Sequence, residues 1–77
     1  VENDPYKKIR DLLVDARKTA GLTQAGLATR LKRPQSFVSK YERGERRLDL
    51  VEFGELARVL DINPTKFLAK FYQETQE

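Results

Sequence analysis

The stretch Thr23–Gly44 reads TQAGLATRLKRPQSFVSKYERG. Thr23 is of N-cap type, with a hydroxyl that can accept from the orphan amides of a first helical turn. Leu27, Ala28 and Leu31 follow at helical spacing, which predicts a short helix over residues 24–31. Gly26 stands where Glu or Gln would complete a capping box, and in a first turn it costs up to ~1 kcal/mol against Ala. Lys32-Arg33-Pro34 breaks the helix, because proline disfavours the helical region for the residue before it. A second helix is expected from Pro34 or Gln35 to Arg43, with Phe37, Val38 and Tyr41 as its apolar positions and Gly44 as its stop. Two short helices thus meet across a tight turn. Ala28 is small where close approach needs it, with Leu27, Leu31, Val38 and Tyr41 packed around it. Ser39 and Lys40 lie one turn beyond Gln35 and Ser36, on the exposed face of the second helix.

Charge concentrates on the same stretch. Residues 30–47 hold seven basic side chains against two acidic ones, while the rest of the chain holds eight against ten. The formal net charge of +3 therefore hides a local basic segment, as a polyanion partner or a solvated surface would have it.

Helix signals continue on both sides. Asp4-Pro5 opens a helix, since Asp caps and Pro is tolerated in a first turn; Tyr6, Ile9, Leu12, Leu13, Ala16 and Ala20 follow, and Gly21 closes it. Asp49 and Glu52 form a D-x-x-E capping box, with Leu48 placed to staple onto Phe53. Leu50, Phe53, Leu56, Ala57 and Leu60 mark the buried face of that fourth helix. Asn63-Pro64 opens a fifth, whose apolar side is Phe67, Leu68, Phe71 and Tyr72. The polar tail 73–77 is expected to fray. Val and Ile never alternate as a strand requires. The expected fold class is all-α, five helices in a single domain over residues 1–77.

The runs R-K-x-x-G-L-T-Q from Arg17 and Q-S-x-V-S-K-x-E-R-G from Gln35 carry a resemblance. Over residues 6–72 the chain resembles the phage-repressor and Cro (XRE) family of helix-turn-helix proteins. The resemblance implies a compact five-helix domain whose helices two and three form the motif. It implies sequence-specific binding of double-stranded DNA and a transcriptional regulator, in the first instance a repressor. Gln35, Ser36, Ser39 and Lys40 are then expected at base edges, Gln being suited to a bidentate pair with adenine. Lys40 either reads guanine or holds a phosphate. Gln24, Arg43, Arg46 and Arg47 are expected on phosphates, with Lys32 and Arg33 as lesser candidates; such contacts position the protein without reading sequence. Gln24 is also placed to brace Gln35. Phe37 either packs on the core edge or touches a thymine methyl. Arg17 and Glu42 match the family's ion pair, a structural lock between the first and third helices. Three positions depart from the pattern: Lys32 where Gly is common, Pro34 where Ser or Thr caps, and Gly26 for Glu. These bear on turn geometry and stability rather than on contacts.

Helix five carries more apolar surface than a small core needs. Leu68, Phe71 and Tyr72 either complete the core or form a homodimer interface, and two-fold operators favour the dimer. The rival reading is a protein-interaction or bridging module, antitoxin-like or coactivator-like, on the same fold. Composition argues against an enzyme. The chain has no His and no Cys, so the usual general base, the commonest metal ligand and any disulfide are missing. No cofactor, metal or small-molecule ligand is expected. No apolar run exceeds three residues, Leu12-Leu13-Val14 among them, far short of the ~20 that a membrane helix needs. The opening Val1-Glu2-Asn3-Asp4-Pro5 carries no signal-peptide pattern, so a cytoplasmic location is expected.

Overall fold

The computed structural model describes residues 4–75. Its helices run in the order α1 (Pro5–Thr19), α2 (Gln24–Leu31), α3 (Gln35–Glu42), α4 (Leu50–Val59) and α5 (Pro64–Thr75). The described residues contain no strand, and no helix among them is long and apolar enough to cross a membrane.

Local chemistry starts most of these helices. Asp4 Oδ1 accepts from the Tyr6 amide at 3.0 Å, Thr23 Oγ1 from Gly26 at 2.9 Å, and Asn63 Oδ1 from Lys66 at 3.1 Å. Asp49 and Glu52 form the reciprocal box: the Glu52 amide donates to Asp49 Oδ1 at 2.8 Å and the Asp49 amide to Glu52 Oε1 at 3.0 Å. The exception is α3, where Pro34 offers no side-chain cap.

All four turns use one stop. Gly21, Lys32, Gly44 and Asp61 take φ of 75°, 59°, 81° and 57°. In each turn this residue's amide donates to the carbonyl three residues back, and the next amide to the carbonyl five back; Lys32 to Thr29 and Arg33 to Ala28 are one such pair. This is the Schellman arrangement, which satisfies carbonyls the helix would leave bare. Asp61 holds the left-handed position without glycine, which the sequence reading did not anticipate. At Gly44 the space a Cβ would need is already filled, with Arg10 Cζ 2.9 Å from that point.

The helices close over one core. α1 packs against α3 and α5, and α2 packs against α3 and α4. Leu13, Leu27, Val38, Tyr41 and Leu56 are fully buried at its centre. Phe67 of α5 meets Phe53 of α4 with ring centroids 5.3 Å apart. One expectation needs correction. Leu50 was placed on the buried face of the fourth helix, yet it is 83% exposed, with Val51 beside it 71% exposed. The period is right, but Leu50 is the first residue of α4 and overhangs the core, which the helix reaches at Glu52 and Phe53. Of the C-terminal segment 73–77, expected to fray, residues 73–75 belong to α5, and residues 76–77 lie outside those described.

Among the described residues one buried side-chain polar atom is unmatched. The Tyr41 hydroxyl has no hydrogen-bond partner. Burial, and then the Glu42 carboxylate, push this phenol well above the ordinary tyrosine value. A left-handed conformation at an L-residue costs ~1–2 kcal/mol, and the Lys32 side chain is exposed and makes no ion pair among the described residues. Lys32→Gly is therefore expected to stabilise the fold by about 1 kcal/mol, less the extra freedom glycine gives the unfolded chain. The corresponding rise of about 4–8 °C in a thermal melt checks it.

Candidate nucleic-acid interface

The face of α3 is sorted by helical geometry. Phe37, Val38 and Tyr41 point into the core. Residues 35, 36, 39 and 40 share the opposite side, one turn separating each pair. Gln35, Ser36 and Lys40 are exposed there, and Ser39 is half-buried, its Oγ donating to the Ser36 carbonyl at 3.3 Å. No carboxylate shares this row.

Glu42 sets the roll of the helix. Its Oε2 accepts from Arg17 Nε at 2.8 Å, and its Oε1 from the Arg17 terminal nitrogen at 3.1 Å and from Gln24 Nε2 at 2.8 Å. The other terminal nitrogen of Arg17 donates to the Leu22 carbonyl at 2.8 Å. The side chains of the pair are 11% and 6% exposed, so a fork of charge-assisted bonds ties α1, α2 and α3 together out of water. These bonds raise the Arg17 pKa, against the opposing effect of burial. Gln24 was expected to brace Gln35; without DNA its Nε2 is turned to Glu42.

The flanking cations are also engaged. Arg46 reaches both Glu52 oxygens, at 2.8 and 2.6 Å, and donates to the Arg47 carbonyl at 3.1 Å. Arg33 donates twice to Glu55 Oε1, at 3.2 and 3.0 Å. The two guanidiniums lie 4.6 and 4.8 Å from the centroid of the Phe37 ring. Phe37 is thus a buried anchor, not a free reader of thymine, and the cation–π stack pins the start of α3 to α4. Arg43 pairs with Glu45 at 3.0 and 2.9 Å on the exposed surface, holding the Glu45 carboxyl below its usual range. Arg47 lies 3.9 Å over the Tyr6 ring.

The sequence reading missed the acidic half of this arrangement. Glu52 was read only as a capping residue, and Glu55 was not singled out. Glu52 in fact holds the box and Arg46 at once, and Arg33 adds a third charge at 4.0 Å. A Glu at the third position of α4 signalled the first role. Nothing local signalled the second.

Two expectations follow. Arg17→Ala leaves Glu42 buried without its cation and is expected to cost about 3–5 kcal/mol in urea unfolding. The Glu52 carboxyl, held at about 2 by Arg46 first and the Asp49 amide second, sits below its ordinary 4.5. The unfolded chain then takes up this proton first as pH falls, so the contribution is complete above about pH 4.5 and is lost by about pH 2. The loss is expected to be about 2 kcal/mol, discounted because Arg46 is partly exposed. Unfolding measured across this window should show a slope that Glu52→Gln reduces.

Comparison with known proteins places this geometry. The family model described as helix-turn-helix matches residues 13–67. Among solved structures, an XRE-family like protein from Pseudomonas syringae pv. tomato str. DC3000 is 49% identical, with 96% of this chain and 90% of that chain covered and a TM-score of 0.87. The restriction-modification controller protein C.AhdI from Aeromonas hydrophila is 35% identical, with 80% and 94% covered and a TM-score of 0.73. The controller protein C.Esp1396I, solved as a tetramer in complex with its natural 35 base-pair operator, shares the fold at 20% identity, with 95% and 96% covered and a TM-score of 0.82. No curated protein matches.

Proposed function

Since the chain belongs to the helix-turn-helix family of the phage-repressor (XRE) type, we propose that it binds double-stranded DNA in a sequence-specific manner as a transcriptional regulator. In this reading the chain acts as one domain, a homodimer on a two-fold operator, and represses by occupying it. The observation that carries the reading is the exposed row on α3. Gln35, Ser36 and Lys40 face outward, while Glu42, the acid at the end of the same helix, is turned inward and neutralised by Arg17. A major groove admits one such helix, and Gln35 presents a donor and an acceptor to adenine. Ser36, Ser39 and Lys40 extend the contact along the groove.

Phosphates fall to the flanks. Lys40 makes no ion pair among the described residues, and Arg43 needs only to leave an exposed surface partner, a pair worth little in water. Arg47 can swing from Tyr6. Arg46 keeps most of its fork on Glu52 and serves more to position the loop, with Nε left to donate outward. Gln24 holds Glu42, and α2 offers its N-terminal turn to the backbone instead.

The dimer face is best drawn around α5. Leu68 and Tyr72, one helical turn apart, are 38% and 56% exposed. Phe71 packs partly on the core and contributes its outer edge.

A salt titration tests the function. A site selected from a random duplex pool is expected to bind at least ~10³-fold tighter than random DNA, with two protomers per site and a linear fall of log affinity with log salt. Gln35→Ala should relax preference at one base pair per half-site, at a cost of about 1–3 kcal/mol, and Lys40→Ala should reduce the salt slope or a second base preference. Weak binding, equal for all sequences, would overturn the reading and favour a protein-bridging module.

A further inference from the structure

A cavity of about 620 Å³ opens between α1, the α3–α4 loop, the start of α4 and α5. Its apolar wall includes Ile9, Leu13, Phe53 and Leu68, and Tyr41 lines it as well. Tyr41 is 1% exposed and carries the one buried side-chain polar atom without a partner among the described residues. A lone phenol hydroxyl left unmatched in a wall is destabilising unless something bonds to it.

The charges around the cavity are asymmetric in their engagement. Asp4 and Asp49 line it, but each carboxylate is committed to a helix cap. Arg46 lines it and is held by Glu52. Arg10 and Arg47 line it and make no ion pair among the described residues; Arg10 lies against Gly44, and Arg47 rests on Tyr6. An apolar hollow with two uncommitted guanidiniums and a buried unmatched hydroxyl has the composition of a small-molecule site. We propose that this cavity binds a small amphipathic anion, its carboxylate between Arg10 and Arg47, its apolar body against Ile9, Leu13 and Phe53, and a polar atom on the Tyr41 hydroxyl. Gly44, Arg46 and Arg47 join α3 to the rest of the domain, so an occupant draws Arg47 from any phosphate. That regulatory meaning, unlike the binding itself, rests on the DNA reading above.

The probe is 1-naphthylacetate, with neutral 1-naphthylacetamide as its control, titrated into the full chain without DNA. The chain has no Trp, so naphthyl fluorescence is read directly. The anion is expected to bind about tenfold tighter than the amide, and Arg10→Gln or Arg47→Gln should each erase that preference. Tyr41→Phe should weaken binding of the anion several-fold while its melting temperature is unchanged or higher, a combination that a merely structural tyrosine does not give. Equal binding of anion and amide, or unchanged affinity in Tyr41→Phe, overturns the proposal. So does probe affinity that falls as the protein self-associates, which would give the cavity to a second copy of the chain. Where the probe binds as expected, it should also weaken affinity for the selected DNA site. Unchanged DNA affinity at saturating probe removes the regulatory meaning and leaves the site.

Discussion

The Glu42 carboxylate is the constraint on which the rest of the architecture depends. It receives three hydrogen bonds from Arg17 and Gln24, and Arg17 extends the junction to the Leu22 carbonyl. Three helices therefore meet at one buried ionic group. A buried pair is a weak source of net stability, since desolvation offsets most of its attraction. Its value here is geometric. The eight-residue α3 turns Phe37, Val38 and Tyr41 into the core, and the ionic group holds its C-terminal end in the same rotation. With Glu42 held inward, Val38 and Tyr41 fall into the core, and the row at 35, 36, 39 and 40 is carried to the surface.

The same principle governs the other end of α3. Pro34 provides no side-chain cap, so the start of the helix is held by its neighbours. Phe37 lies between Arg33 and Arg46, which are tied to Glu55 and Glu52 of α4. Counting charge along the chain misses this. Of the seven cations in residues 30–47, Arg33, Arg43 and Arg46 have carboxylate partners, which leaves four without one among the described residues. The basic segment is thus partly a scaffold, and less of it is available to a polyanion than its composition implies.

What was legible in the sequence follows the range of the interactions. The caps at Asp4, Thr23, Asn63 and the Asp49–Glu52 box, and the stops at Gly21 and Gly44, lie within a few residues of their partners, so residue type at a fixed offset suffices. Leu50 was misread because periodicity gives the face of a helix but not how far its packing partner extends. Asp61 was missed because Asp tolerates the left-handed region only modestly better than other residues and gives no strong signal. The partnerships of Arg33 with Glu55 and Arg46 with Glu52 depend on how the start of α4 docks beside α3. The lock between Arg17 and Glu42 spans 25 residues; only family resemblance anticipated it.

Departures from local rules gather around α3. Lys32 takes a left-handed turn ahead of it, Pro34 leaves its first turn without a side-chain cap, and Tyr41 buries a hydroxyl without a partner. A chain of 77 residues has a small core and little stability to spare. Such departures persist where they serve something other than stability, and they concentrate at functional sites. An uncapped first turn keeps the amides of Gln35 and Ser36 clear of competing side chains, on the face that would meet DNA. Both ends of α3 are therefore fixed by long-range ionic contacts, which leaves the local chemistry of the helix available for recognition.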